Sequence, residues 1–139
     1  MQNLEFAEPW KHLTDKERNY AYYMAKASWA GARMVLHQLA YEAPPLFVIF
    51  QAYFAGTDFE NLFASAEKSG VTADEWKNFL AYVGGFYGNL SNYHSFGDLK
   101  FVPQLEADKF KDILYSHPAL EGDSEEGKTL RGVLDELFP

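Results

Sequence analysis

The sequence predicts an all-α fold, five or six helices in a single domain spanning residues 1–139, with one long aromatic-rich loop at about 92–104. Three observations predict it. Apolar residues recur three and four positions apart over most of the chain, the spacing of one helix face. Two Thr-x-x-Glu sequences, Thr14/Glu17 and Thr72/Glu75, have the spacing of a capping box, which satisfies free backbone donors where a helix starts. No segment shows the clean period-two alternation of a half-buried strand. A hydrophobic fraction of 47%, with 12 Phe, 9 Tyr and 3 Trp in 139 residues, supplies a core and excludes disorder over most of the length.

Residues 1–13 carry Leu4, Phe6, Trp10 and Leu13 and read as an extended arm that packs down. Thr14 opens a helix running to about Leu39, with Tyr20, Tyr23, Met24, Ala27, Ala30, Met34 and Val35 as its apolar row. Ala25, Ala27, Ala30, Gly31 and Ala32 leave room for a second helix to come close. Pro44-Pro45 ends that element and suits the first turn of the next, where the absent N–H has no partner to lose. Leu46 to Ala55 is apolar nearly all round, which marks a buried helix; a strand competes over so short a run, and the Pro start and Gly56 stop favour the helix. Asp58 caps a short helix that ends before Gly70. The helix opened by Thr72 presents Trp76, Phe79, Leu80, Val83, Phe86 and Tyr87 on one face. Gly84, Gly85 and Gly88 in that helix predict close backbone packing, a kink or a fraying end, because an interior glycine costs about 1 kcal/mol against alanine. Beyond the loop, Glu106 to Tyr115 reads as a helix with Phe110, Ile113 and Leu114 inward. Glu121 to Glu126 reads as an acidic solvated turn, and Thr129 to Leu137 as a last helix.

The charge balance is −8, from 12 Lys+Arg against 20 Asp+Glu. It disfavours nucleic acid, whose affinity comes from cations neutralising phosphates, and docking on anionic lipid. With no cysteine there is no disulfide framework and no thiolate nucleophile, and a cytoplasmic location is the expectation. The N-terminus lacks the basic start and apolar run of a signal peptide. The most apolar run, Pro44 to Gly56, is too short to span a bilayer.

The search for self-contained chemistry is negative. His12, His37, His94 and His117 form no i,i+4 pair and begin no His-Glu-x-x-His run, so no metal site is expected within the chain. Ser95 lies near His94 and Asp98 in sequence, but triads are set in space, and a turn serine bonding its own backbone is the better reading. Gly84 to Asn89 follows a helix and lacks the Lys-Ser/Thr of a phosphate loop. What stands out is the loop itself. Asn92, Tyr93, His94, Ser95, Phe96, Gly97, Asp98, Lys100 and Phe101 are too aromatic for a plain connector, and loops on rigid scaffolds are where binding groups concentrate.

Asn92 to Pro103, NYHSFGDLKFVP, is similar to a motif of the dipeptidyl peptidase III family, Asn-Tyr-x-Ser-Phe-Gly-Asp-x-Lys-Phe-x-Pro. Glu17 to Gly31, Glu42 to Pro44 and Gly70 to Asn89 carry supporting matches, so the resemblance runs clearly from about Leu13 to Pro103 and weakly beyond. It implies a zinc exopeptidase that releases N-terminal dipeptides from oligopeptides, of which this chain resembles only the N-terminal region. The family's zinc helix and second zinc-ligand motif have no counterpart here, so no catalytic residue and no cofactor is expected in this chain, zinc belonging to the full-length family. The resemblance further implies a lobe facing the zinc-bearing lobe across a cleft. Phe96 would offer an apolar surface to peptide, while Asn92, Tyr93, Ser95, Gly97 and Asp98 shape and hold the loop. From the residues alone, Phe96 reads equally as a core anchor, Asp98 as a turn cap, Lys100 as half of an ion pair, and Tyr93 and Phe101 as packing residues. The implied partners are peptide substrate and the catalytic lobe. The alternative is a stand-alone helical interaction module without enzymatic activity. A piece of a larger enzyme should show a broad exposed apolar patch, with self-association through it.

Overall fold

The computed structural model describes residues 5–94 and 99–137, and within them the chain is all-α, as expected. Seven α-helices occur among the described residues, one more than the upper expectation: α1 (Ala7–Lys11), α2 (Asp15–Leu39), α3 (Ala43–Phe54), α4 (Phe59–Lys68), α5 (Ala73–Asn89), α6 (Ala107–Tyr115) and α7 (Glu125–Leu137). A 3-10 turn, Pro118–Glu121, precedes α7.

The two capping boxes form as the spacing predicts. The Thr14 and Thr72 hydroxyls accept from the Glu17 and Glu75 amides, and each glutamate accepts in return from the threonine amide, at 2.8 Å and 2.7 Å. Asp58 caps α4 by accepting from the Asn61 amide at 2.9 Å. Gly56 and Gly70, at φ 72° and 80°, close α3 and α4 in the left-handed region that glycine enters without a Cβ clash.

α3 and α5 form the centre. Ile49, Phe50 and Tyr53 of α3 are fully buried, as are Phe79 and Phe86 of α5. The Phe50 ring meets Phe79, Tyr82 and Phe86 edge-on at centroid distances of 5.3–6.3 Å, the arrangement aromatic quadrupoles favour. Around this pair, Leu62 and Ala66 of α4, Phe110, Ile113 and Leu114 of α6, and Leu130 and Leu134 of α7 complete one continuous core. The Tyr53 hydroxyl, buried among rings, donates to the Ile113 carbonyl at 3.1 Å and ties α3 to α6. Burial pushes its pKa well above the tyrosine range.

Three expectations need correction. The N-terminal arm is not extended and does not pack down: residues 7–11 are helical, and Phe6 and Trp10 remain exposed. The last helix begins at Glu125, not Thr129, because Ser124 accepts from the Gly127 amide at 3.0 Å and the carboxylates of Glu125 and Glu126 suit a helix N-terminus. The largest correction concerns α2. Its apolar row is not inward: Tyr20, Tyr23 and Met34 are each about two-thirds exposed, and Met24 about half. The residues α2 buries are Ala32 and Leu36, which lie roughly half a turn round the helix from that row and pack where α2 meets α3. A Cβ added at Gly31 would meet nothing within 4 Å.

Candidate functional site: the loop after α5

The segment after α5 begins with Leu90, which caps the helix in the left-handed conformation, φ 55° and ψ 24°, unusual for a residue with a branched side chain. The turn sends the chain back under the helix. Ser91 and Asn92 are buried, and the Ser91 hydroxyl accepts from the Tyr93 amide at 3.0 Å. Two arms then pair: Tyr93 opposite Lys100 in an antiparallel bridge, with the His94 amide donating to the Leu99 carbonyl at 3.1 Å and the Phe101 amide to the Asn92 carbonyl at 2.9 Å. Of the sequence-predicted site residues, Asn92 and Tyr93 lie in this paired base. Ser95, Phe96, Gly97 and Asp98 lie outside the described residues.

The base is held from beneath by a residue the sequence reading gave no role, Glu42. It stands in the three-residue joint between α2 and α3, where it does not cap α3 with its side chain. Its Oε1 accepts from Asn92 Nδ2 at 3.1 Å and from Lys100 Nζ, one donor on each arm. These two bonds, Lys100 first and Asn92 second, hold the Glu42 carboxyl below the usual carboxylate range, and Glu42 in turn raises Lys100. Lys100 therefore is half of an ion pair, and it also lies over the Tyr93 ring at 5.8 Å. The signal for Glu42 was in the sequence as the Glu-Ala-Pro stretch of residues 42–44, but nothing there said that the carboxylate reaches fifty positions along the chain.

Phe101 secures the second arm by packing. Its ring meets Tyr82 at 5.7 Å and His94 at 5.1 Å. It comes so near α5 that a Cβ at Gly85 would lie 3.3 Å from it. Of the α5 glycines, Gly85 thus serves close packing, whereas Gly88 faces open space. Burial, with Glu42 nearby, pushes the Tyr82 hydroxyl up to about 12, so it stays protonated at every working pH. The base divides two open grooves. One, of about 440 Å³, is edged by Tyr41, Glu42, Tyr93 and Lys100; the other, of about 400 Å³, is apolar and lined by Leu46, Tyr82, Val102, Pro103, Leu105 and Phe110.

This arrangement fastens residues 92–94 and 99–101 to each other and to the helices beneath them. Among the described residues no three His, Asp or Glu side chains converge in a way that could hold a metal ion, so the donor set does not fit the zinc implied by the resemblance. Among the described residues no helix is long and apolar enough to cross a membrane. His117 is buried and caps the 3-10 turn by accepting from the Ala119 amide through Nδ1 at 3.1 Å.

No family model matches the chain. Among individual proteins, it is 48% identical over 109 residues to dipeptidyl peptidase 3 of Nematostella vectensis, which takes in 77% of this chain and 15% of that protein. It is 35% identical over 138 residues to the human dipeptidyl peptidase 3, or 99% of this chain and 19% of that protein, and 36% identical over 111 residues to the Dictyostelium discoideum protein. The chain thus spans less than a fifth of the length of the curated relatives it matches.

Proposed function

From its homology to dipeptidyl peptidase 3, we propose that this chain forms the N-terminal, non-catalytic part of a peptidase of that kind, one that uses zinc to release dipeptides from the N-termini of oligopeptides. Its contribution is one wall of the peptide cleft. The loop at 94–99 carries the contact, with Phe96 as an apolar surface for substrate and Ser95, Gly97 and Asp98 fixing its shape, while Asn92 and Tyr93 form the base. The observation that carries the reading is the clamp beneath the loop: one carboxylate, Glu42, binds both arms at once. A binding surface gains affinity when it is ordered before the ligand arrives, because less entropy is lost on association. In this reading the metal ligands and the catalytic groups lie on polypeptide beyond this chain.

Two assays test this. The pure chain, incubated with a dipeptidyl-naphthylamide and added zinc, should release no naphthylamine; reproducible turnover would refute the non-catalytic role. A chimera in which this chain replaces the matched segment of the human relative should release dipeptides, and Phe96→Ala in it should raise KM about tenfold or more, the loss of roughly 1.4 kcal/mol of apolar contact. An unchanged KM removes Phe96 from the cleft wall.

A further inference from the structure

The face of α2 that the core leaves uncovered carries several large apolar side chains. Tyr20, Tyr23, Met24 and Met34 line it, and Ala27, Ala30 and Gly31 form a shallow strip along its middle. At 25 residues α2 is about 37 Å long, and its buried residues, Ala32 and Leu36, both lie in its C-terminal third. Isolated surface hydrophobics are ordinary, but a contiguous face of this kind on one element marks an interaction surface.

The charges beside it narrow the occupant. In a chain of net charge −8, the stretch Arg18–Leu39 holds no carboxylate at all, and Lys26 and Arg33 edge the exposed face without an ion pair among the described residues. Lys26 lies over the Tyr22 ring at 5.4 Å. A second copy is a poor fit. Packed antiparallel through this face, two α2 helices would set the Lys26/Arg33 edge against itself; packed parallel, that edge would meet Ala21, Ser28 and Val35, which offer no countercharge. The complement is an apolar helical surface with an acidic edge. The relatives provide more than four-fifths of their length outside the matched region, and α2 lies wholly within the 138 residues matched to the human protein or nearly so, since the match takes in 99% of the chain.

We propose that the Tyr20–Met34 face of α2 is a docking surface for the rest of a dipeptidyl peptidase 3-like polypeptide, received as an acid-edged apolar helical surface that closes over Ala27, Ala30 and Gly31. This rests on the functional reading above, in that it takes the partner from the relatives. It does not depend on the loop or on Phe96.

The chimera with the human relative tests it by hydrogen exchange and thermal unfolding, against the 139-residue chain alone. Amides of residues 20–34 should exchange at least tenfold more slowly in the chimera. Ala27→Glu with Met34→Glu should leave the Tm of the chain alone within about 2 °C, because both sites face solvent, and should abolish the protection in the chimera. Equal exchange in the two proteins overturns the proposal, as does a chimera that fails to fold, since a matching face has to accept its partner. Slow exchange in the chain alone that grows with concentration also overturns it, by showing the occupant to be a second copy. A chimera that releases dipeptides while α2 stays unprotected defeats the docking face and leaves the functional reading intact. Protection of α2 without dipeptide release does the reverse.

Discussion

At the scale of single residues, the tightest constraint among the described glycines is at Gly127. A Cβ there would lie 2.0 Å from the carbonyl oxygen of Ala119, far inside contact distance, and the obstacle is backbone that cannot rotate away. Gly127→Ala should therefore cost about 3 kcal/mol or more by forcing α7 off the 3-10 turn, read as a lower urea midpoint. Tyr53→Phe removes the bond to the Ile113 carbonyl, but that oxygen keeps the Ser116 hydroxyl as a donor at 2.7 Å, so the loss should be about 1 kcal/mol. Depressed pKa values at His117, at Glu42 and at the capping-box glutamates Glu17 and Glu75 give stability an acid limb. Burial holds His117 below its ordinary value of 6.5, with Tyr53 and Glu126 partly opposing the shift. The folded chain thus favours neutral His117, and this stabilisation is complete above pH 6.5 and declines as pH falls towards the depressed value. Glu42 follows at lower pH, its contribution present above 4.5 and lost as pH falls through its own depressed value. Urea midpoints measured from pH 7.5 to 3.5 should decline in two stages, and Glu42→Gln should reduce the second stage, which Glu17 and Glu75 share, while leaving the first unchanged.

At the scale of elements, the two capping boxes look alike in sequence but should behave differently when broken. Thr72→Ala strikes a helix at the centre of the core and should lower global stability by about 1 kcal/mol. Thr14→Ala frees the end of a helix whose first two-thirds make no core contact, so it should speed amide exchange near residues 15–20 and barely move the urea midpoint. Glu42→Ala should quicken exchange at the His94 and Phe101 amides, which sit in the paired arms above it. The elements themselves were legible in the sequence because caps, prolines and glycines punctuate them locally: Thr14, Asp58, Thr72 and Pro44 all stand where the helices begin. The direction in which α2 faces was not legible. Periodicity reports that a helix has an apolar side; it does not report whether the partner for that side lies in the same chain. The short stripe at Ala32 and Leu36 wins the contact with α3 because α3 and the residue 40–42 joint reach only that end. The site was half legible for a related reason. Tyr93, Lys100 and Phe101 declared themselves by composition, whereas Glu42 takes part only through a fold that brings residues 42 and 100 together.

At the scale of the whole molecule, the 139 residues divide into a well-packed body, α3 to α7, and a long helix that offers the solvent its best apolar side. Beyond the loop's own Ser91, the anchors of the loop base are Glu42 in the joint before α3 and Tyr82 in α5. A dye that fluoresces on apolar surfaces should bind the isolated chain, and Tyr20→Lys with Met24→Lys should remove most of the signal without changing the unfolding midpoint by more than about 0.5 kcal/mol. Loss of the midpoint along with the signal would mean that α2 is more deeply integrated than its exposure indicates.

Glu42 has a mechanical side as well. The carboxylate that grips both arms of the loop sits on the three-residue elbow between the long helix and the central one, immediately before the central helix begins. Anything that swivels the long helix about this elbow tugs on the same oxygen that steadies the loop, so load applied at one limb arrives at the other without passing through the interior.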